Sequence, residues 1–385
     1  MKIAYIVGSY PKPSEQFVTR EIEVLGEMGA DVSVFKIDRP GGPACPFCTL
    51  AQITGLAFRP RTWRGMLRFP FGALAALEAK AWREFVGGLV AASAFADRMR
   101  ADGIEHIHAC FATKPAAVGM MAAGMLHVPF TFSAHARDVY VDGVALKQKV
   151  LAARRVVVCN KAAFGELDRK LPDSLRTRLA LIRHGLDASQ YEFTPLAEER
   201  SPARLLAAGR FIEKKGFRHL IEAMARLPDC VCEIVGRGPL EEHLRKQISK
   251  LGLDDRVRLS GWLPHDELVE KMKEADVFVA PYVVARDGDR DGVPNALLEA
   301  AALGVPLVAC DSGGIGEFVI NCETGRLVPP GDAESITGAI QSVLATPDTT
   351  RTFVQNARNK VEKEYDLREN VRELLAVFTE SGEGH

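Results

Sequence analysis

Short apolar runs recur along this chain, each followed by a stretch of helical length. In the first half the runs are Lys2–Val7, Asp31–Phe35, His106–Ala109, Phe130–Ser133, Val156–Cys159 and Leu179–Arg183. In the second half they are Arg204–Ala208, Cys230–Val235, Val257–Leu259, Val277–Ala280, Pro306–Ala309 and Gly325–Val328. Helical segments such as Glu15–Met28, Phe217–Arg226, Leu240–Leu251 and Pro294–Leu303 lie between them. Strands alternating with helices predict parallel sheets covered on both faces. Two such series predict an α/β protein of two doubly wound, Rossmann-like domains.

The seam is expected near His184-Gly185-Leu186-Asp187, where a strand ends and the polar stretch Ser189–Ser201 begins. This gives domains over residues 1–186 and 187–365. A last helical segment, Leu367–Phe378, precedes a tail, Ser381–His385, that should fray. Residues 55–100 break the rhythm, being long, helical and rich in Ala, Leu and Phe. Arg59, Arg61, Arg64 and Arg68 lie among Trp63, Phe69 and Phe71, with Arg83 beside Trp82 and Phe85. That mixture suits the surface of an anionic membrane. The preferred reading is two helices packed on the first sheet with solvated Arg edges, and both can hold.

Composition narrows the picture by exclusion. The 385 residues are 47% hydrophobic and 26% charged, enough for a sizeable core. Lys+Arg 49 against Asp+Glu 50 leaves a net charge of -1, without the basic excess of a duplex nucleic-acid binder. The 8 cysteines are too few for a disulfide scaffold. Cys45 and Cys48 form a C-x-x-C, but no second pair completes a zinc site, and two reduced loop thiols are expected. The opening MKIAYIVGSYPKP is too short in apolar text for a signal peptide and reads as a first strand. A cytoplasmic protein is expected, with peripheral contact to the inner membrane face open through residues 55–100.

The richest text is the acidic loop Asp287-Gly-Asp-Arg-Asp-Gly-Val-Pro-Asn-Ala-Leu-Leu-Glu299. Pro294 suits a first helical turn, and the amides of Val293, Asn295 and Ala296 would point out of the helix start. That end attracts anions, phosphate above all. Glu299, one to two turns into the helix, can accept both hydroxyls of a ribose, and Asp291 can meet the other end of a nucleotide-linked ligand. The plainer reading is an acidic cap with a solvated Glu299. A third reading takes Asp287-x-Asp289 and Asp289-x-Asp291 as a divalent-metal motif, against which stand Arg286 and Arg290 in the same loop.

Arg210 and Lys215, in Gly209-Arg-Phe-Ile-Glu-Lys-Lys-Gly216, follow the first strand of the second domain. Strand carboxyl ends face the ligand crevice in such sheets, so both cations can reach one diphosphate. Gly236-Arg-Gly238 follows the next strand and would let a flat base approach the backbone. Gly313, in Asp311-Ser-Gly-Gly314, lies at another strand end. In the first half Gly8 follows the first strand, and His135 follows Phe130–Ser133, where it can hydrogen-bond a sugar hydroxyl or phosphate. His108 ends the preceding strand and could line the same cleft. No G-x-S-x-G elbow or H-E-x-x-H supports serine or zinc hydrolysis.

The segments GSYPKPSEQFVTREI, IHACFATKPAA, SAHARDVY, GRFIEKKGF, VGRGPLEEHL and DGVPNALLEAAALGVPLVACDSGGIGEFV, in this order, resemble the family 4 glycosyltransferases. The flavour of the first-half motifs is similar to bacterial enzymes of exopolysaccharide, lipopolysaccharide or colanic-acid-type assembly. The resemblance implies a GT-B fold of two Rossmann-like domains facing a central cleft. The first would be on the acceptor side and rejoined by the C-terminal helix, residues 366–385. It implies a retaining transfer from a nucleotide sugar, UDP-sugar before GDP-sugar, to a lipid-linked or polysaccharide acceptor, with no metal and no cofactor.

On that resemblance Arg210 and Lys215 clamp the diphosphate, and Glu299 binds the ribose. Gly236 and Gly238 face the base. Pro294, Asn295, Ala296 and Leu298 form the helix start around the donor. Asp291 and His135 hold the donor sugar near its reacting centre, and Gly8 and Gly313 make room. Glu15, His108, Arg137 and Asp138 are acceptor-side candidates. Two positions depart from the family pattern. Asp291 stands where the first acid of an E-x7-E motif is normally Glu, and Cys110 stands in His108-Ala-Cys110-Phe where H-A-H-F is usual. A sugar-nucleotide epimerase and a non-catalytic nucleotide-sugar-binding subunit remain as alternatives.

Overall fold

A computed structural model describes residues 1–11, 15–37, 79–194 and 200–380, with side chains described from residue 88 onward within the helix Ala79–Asp102. Cys45, Cys48, Trp63 and the tail Ser381–His385 lie outside the described residues, as do residues 55–78 of the basic aromatic segment. The chain divides into two compact units. The first comprises 1–159, 163–185 and 367–385; the second comprises 160–162 and 186–366.

The first unit holds a six-stranded sheet: β1 (Lys2–Val7), β2 (Asp31–Lys36), β3 (His106–Cys110), β4 (Phe130–Ala134), β5 (Arg155–Val158) and β6 (Leu179–Leu181). Its order is β2-β1-β3-β4-β5-β6, and every pairing is parallel. Successive side chains of a strand point to opposite faces. Ala4 and Ile6 therefore enter one core, with Phe132 and Val156, while Ile3, Tyr5 and Val7 enter the other. The helix Leu367–Thr379 closes this second face. Its Leu367, Val371, Leu374 and Phe378 recur at helical spacing and pack with Val18 and Leu25 of the helix Gln16–Glu27.

The second unit repeats the architecture with β7 (Ala203–Ala208), β8 (Cys230–Val235), β9 (Val257–Gly261), β10 (Val277–Ala280), β11 (Leu307–Cys310) and β12 (Arg326–Val328). Its order is β12-β11-β10-β7-β8-β9, again parallel. Leu205 and Ala207 face one core, Leu206 and Ala208 the other. β10 and β11 are buried along their whole length, which is why both read as unbroken apolar text. In each unit the chain order reverses once across the sheet, between β1 and β3 and between β7 and β10. Among the described residues no helix is long and apolar enough to cross a membrane.

Candidate functional site

Where neighbouring strands send their connections in opposite directions, a doubly wound sheet opens a crevice at the strand carboxyl ends. In the second unit that point lies between β7 and β10. The loop leaving β7 makes a 3₁₀ turn, Glu213–Lys215, that ends at Gly216. The loop leaving β10 carries Tyr282 and the acidic stretch Asp287–Asp291. The two loops meet through charge. Lys215 Nζ lies 2.9 Å from Asp291 Oδ2, and Lys214 Nζ lies 3.1 Å from Asp291 Oδ1. Lys214 also reaches Asp289 Oδ1 at 3.1 Å. Lys215 Nζ sits 4.0 Å from the centre of the Tyr282 ring, whose hydroxyl donates to the Ala208 carbonyl at 3.1 Å.

These groups are largely withdrawn from water, and burial alone would neutralise them. Burial pulls the Lys215 ammonium down, but the Asp291 carboxylate and the Tyr282 hydroxyl outweigh it and leave its pKa raised. Burial pushes Asp291 up, yet Lys215 and Lys214 together hold its carboxyl below the usual range. Burial raises the Tyr282 phenol, with Lys215 working against it. The result is a charged cluster at the mouth of the sheet. Where the D-x-D reading of this loop would seat a metal, the Lys214 ammonium bridges Asp289 and Asp291.

Asp291 is also held by its backbone. Gly314 N donates to the Asp291 carbonyl at 3.0 Å. Gly313 adopts φ +63°, and a Cβ there would lie 2.0 Å from that same carbonyl. A side chain at Gly313 would expel Asp291 from its place. Asn160 packs against the same turn, its amide lying where a Cβ on Gly292 or Gly314 would intrude. The helix that follows runs Asn295–Leu303, with Pro294 at its N-cap rather than in its first turn. The Pro294 carbonyl accepts from Leu297 N at 3.0 Å. The amides of Asn295 and Ala296 belong to the opening turn, which has no intrahelical acceptor. Leu298 is buried in the core beneath.

Glu299 is buried on this helix, not solvated. Its Oε1 accepts from His265 Nε2 at 3.0 Å and from the Tyr191 hydroxyl at 3.3 Å. Arg210 is exposed at the start of the β7 loop. Gly236 and Gly238 are required by the fold itself. A Cβ on Gly236 would lie 1.9 Å from the Gly209 carbonyl, and one on Gly238 would lie 2.5 Å from the Phe211 carbonyl. The β7 and β8 loops thus pack backbone against backbone. A cavity of about 1040 Å³ opens elsewhere in the unit, beside the edge strand β9, lined among others by Arg245, Arg256 and Arg258. None of the site residues expected from the sequence lines it.

In the first unit Gly8 follows β1, and His135 caps the short helix Ala136–Tyr140. The His135 ring stacks on His184 at 5.0 Å between centroids and touches Phe111 at 4.3 Å and Phe17 at 5.4 Å. Its Nδ1 lies 3.6 Å from Asp138. Asp138 is buried and accepts from the amides of Ala112 and His135 at 3.0 and 2.9 Å. It ties the loop after β3 to the loop after β4. Arg137 is half-exposed and paired with Asp142 at 2.7 Å. Glu15 stands at the N-cap position of the helix Gln16–Glu27, without a capping bond from its side chain to the helix.

His108 is wholly buried, its ring nitrogens engaged by Thr131 at 2.8 Å and Ser133 at 3.0 Å. It belongs to the sheet interior and lines no open surface.

The sequence alone did not single out Lys214, Tyr282, Asn160, Tyr191 or His265. Lys214 is the one whose text carried a signal, being adjacent to Lys215. Chemically, the second unit offers paired lysines and a helix start to an anion, with two carboxylates flanking them. Fixed positive groups of this kind stabilise negative charge on a departing phosphate.

The site lies on a doubly wound α/β unit, one of two, and comparison with known proteins narrows the picture further. Residues 191–360, within the second unit, match the family model of glycosyl transferases group 1. The chain is similar to the putative colanic acid biosynthesis glycosyltransferase WcaL of Escherichia coli, 34% identical over 53% of this chain and 51% of that protein. The match therefore spans about half of that relative's length. WcaL of Salmonella typhimurium is 26% identical over 98% of this chain and 99% of its own. The crystal structure of Anabaena HepE in complex with UDP and glucose superposes with a TM-score of 0.72 at 18% identity, covering 99% of this chain and 100% of that one. The likeness establishes the fold.

Proposed function

We propose that this protein transfers a sugar, with retention of configuration, from a nucleoside-diphosphate sugar to a lipid-linked or polysaccharide acceptor. The observation that carries the reading is the cluster of Lys214, Lys215 and Asp291 at the switch point, with Glu299 on the helix that starts there. The matching glycosyl transferases group 1 domain supports it. The named activity of WcaL supports a polysaccharide-type acceptor. UDP and glucose bound in HepE favour a UDP-sugar donor, with GDP-sugar as the second choice.

As the bond between the anomeric carbon and the diphosphate oxygen breaks, its electron pair stays on the diphosphate. Lys215, Arg210 and the helix start at Asn295 stabilise that charge without a metal. The acceptor hydroxyl bonds to the anomeric carbon on the same face, and its proton passes to the departing phosphate. Asp291 holds the donor sugar and Glu299 the ribose. His135 hydrogen-bonds a sugar hydroxyl or phosphate. A basic aromatic segment, residues 55–100, suits a peripheral contact with anionic lipid where a lipid-linked acceptor would be met.

A thermal-shift panel of UDP- and GDP-sugars at matched concentration tests this. The true donor raises the melting temperature by mass action, and release of free nucleoside diphosphate with an acceptor glycan present shows turnover. No shift with any nucleotide sugar would refute the reading.

A further inference from the structure

Resting on the reading of Glu299 as the ribose carboxylate, we infer that His265 and Tyr191 are positioning residues that divide the labour of its two oxygens. Glu299 Oε1 is taken twice, by His265 Nε2 at 3.0 Å and by the Tyr191 hydroxyl at 3.3 Å. The two donors also touch one another, with the Tyr191 hydroxyl 3.4 Å from His265 Nε2. Among the described residues, no hydrogen bond is made to Glu299 Oε2. One oxygen is anchored to the protein, and the other is left to accept from a ligand.

The Tyr191 side of the anchor is set in the core. Tyr191 is only 3% exposed and packs with Leu297 and Ala301, neighbours of Glu299 on its own helix. His265 opens the helix His265–Lys273, with the exposed Asp266 carboxylate 3.8 Å from its Nδ1. A glutamate side chain has three rotatable bonds, and a buried carboxylate can turn either oxygen outward. With Oε1 held from two directions, the remaining oxygen is presented in one orientation. A vicinal diol needs this, since its two hydroxyls must reach a fixed acceptor together. The arrangement therefore governs selectivity for a ribose over a sugar lacking the 2′-hydroxyl, beyond its effect on affinity.

The test measures binding of UDP and 2′-deoxy-UDP by calorimetry, with GDP and 2′-deoxy-GDP as the parallel pair. Wild-type protein should prefer the ribonucleotide by about tenfold, the worth of one hydrogen bond to a charged group. In His265→Ala the preference should shrink to about twofold while the melting temperature of the apoprotein stays near wild type. His265→Gln, which keeps a donor, should restore most of it, and Tyr191→Phe should lose part. A His265→Ala protein that binds more weakly but keeps the full ribose preference overturns the inference. So does a wild-type protein that binds both nucleotides equally. Failure of the wild type to bind any nucleoside diphosphate would instead strike the functional reading beneath it.

Discussion

The two units share a six-stranded parallel sheet with one reversal of chain order, though not the same strand order, and they differ in how their most perturbed ionisable groups are buried. In the first, histidines are taken into the core uncharged. His106 and His108 sit on β3, bridged by the Thr131 hydroxyl at 2.8 Å from each ring, and packed on Phe378. Burial, assisted by Arg154, lowers His106 to about 3. Burial lowers His108 and His184 well below the ordinary imidazole value, with neighbouring histidines adding to it. In the second unit the largely buried Lys215 and Asp291 face one another, and each holds the other's pKa toward its charged form. A neutral histidine network holds strands together. A charge cluster at a sheet mouth costs desolvation that packing alone would not require, and it is placed where an anion is expected to arrive.

Lys215→Ala is the sharpest way to break this contrast. Lys214 still lies 3.1 Å from Asp291, so the carboxylate keeps a partner and the fold should survive with a small fall in melting temperature. Turnover should fall by about 10²–10³ in kcat/KM, the scale of losing one fixed group that stabilises transition-state charge. Steady-state release of nucleoside diphosphate measures it. Near-normal turnover would mean that the cluster is structural, like the histidines of the other unit.

Acid titration probes the other side of the comparison. A histidine whose folded pKa lies below its unfolded value contributes stability above about pH 6.5. That stability is lost as pH falls from 6.5 toward the folded value, about 3 for His106. The slope is up to about 1.4 kcal/mol per pH unit for each such histidine. Asp291, with its pKa depressed, loses its contribution only below the usual carboxylate range. Between pH 6 and 4 the three histidines should therefore weaken the first unit before the ion pairs of the second are touched. Glu21 offsets this in part, since burial raises its pKa to about 8 and it gains stability as pH falls. Hydrogen exchange resolved by segment should show β3 and β4 opening ahead of β7 and β10, and His106→Gln should flatten the slope. Simultaneous opening would show that the histidines are not held neutral.

How much of this was legible in the sequence follows the same divide. The strands were readable because parallel strands buried on both faces are short apolar runs. Lys2–Val7, Cys230–Val235 and Val277–Ala280 have the bounds their text predicts. Leu307–Cys310 begins one residue past the expected Pro306, whose carbonyl still accepts from Phe278 but whose ring has no N–H to give. Individual residues such as Lys215 and Asp291 carried chemistry in their own text. Their 2.9 Å pairing did not, because it depends on which two strands are neighbours across the reversal of the sheet. His265 and Tyr191 had no signal at all, since their meaning comes only from the carboxylate they share. His108 misled because a strand-end position suggests a surface, whereas β3 is buried along its whole length.

Asp291→Glu gives the smallest effect and the finest distinction. The family that the sequence resembles has the longer acid at this place, but here the carboxylate is set at 2.9 and 3.1 Å from two lysines by a backbone gripped at Gly313 and Gly314. One more methylene, about 1.5 Å of chain, must fold back or push the lysines aside. Charge is conserved, so the melting temperature and its acid limb should change little. The donor kcat/KM should fall by about tenfold or less, the range of a mispositioned but intact contact. A gain in turnover would reverse the argument. The lysine contacts would then be a resting arrangement, and reach toward the sugar, not the cluster's own geometry, would set the length of the acid.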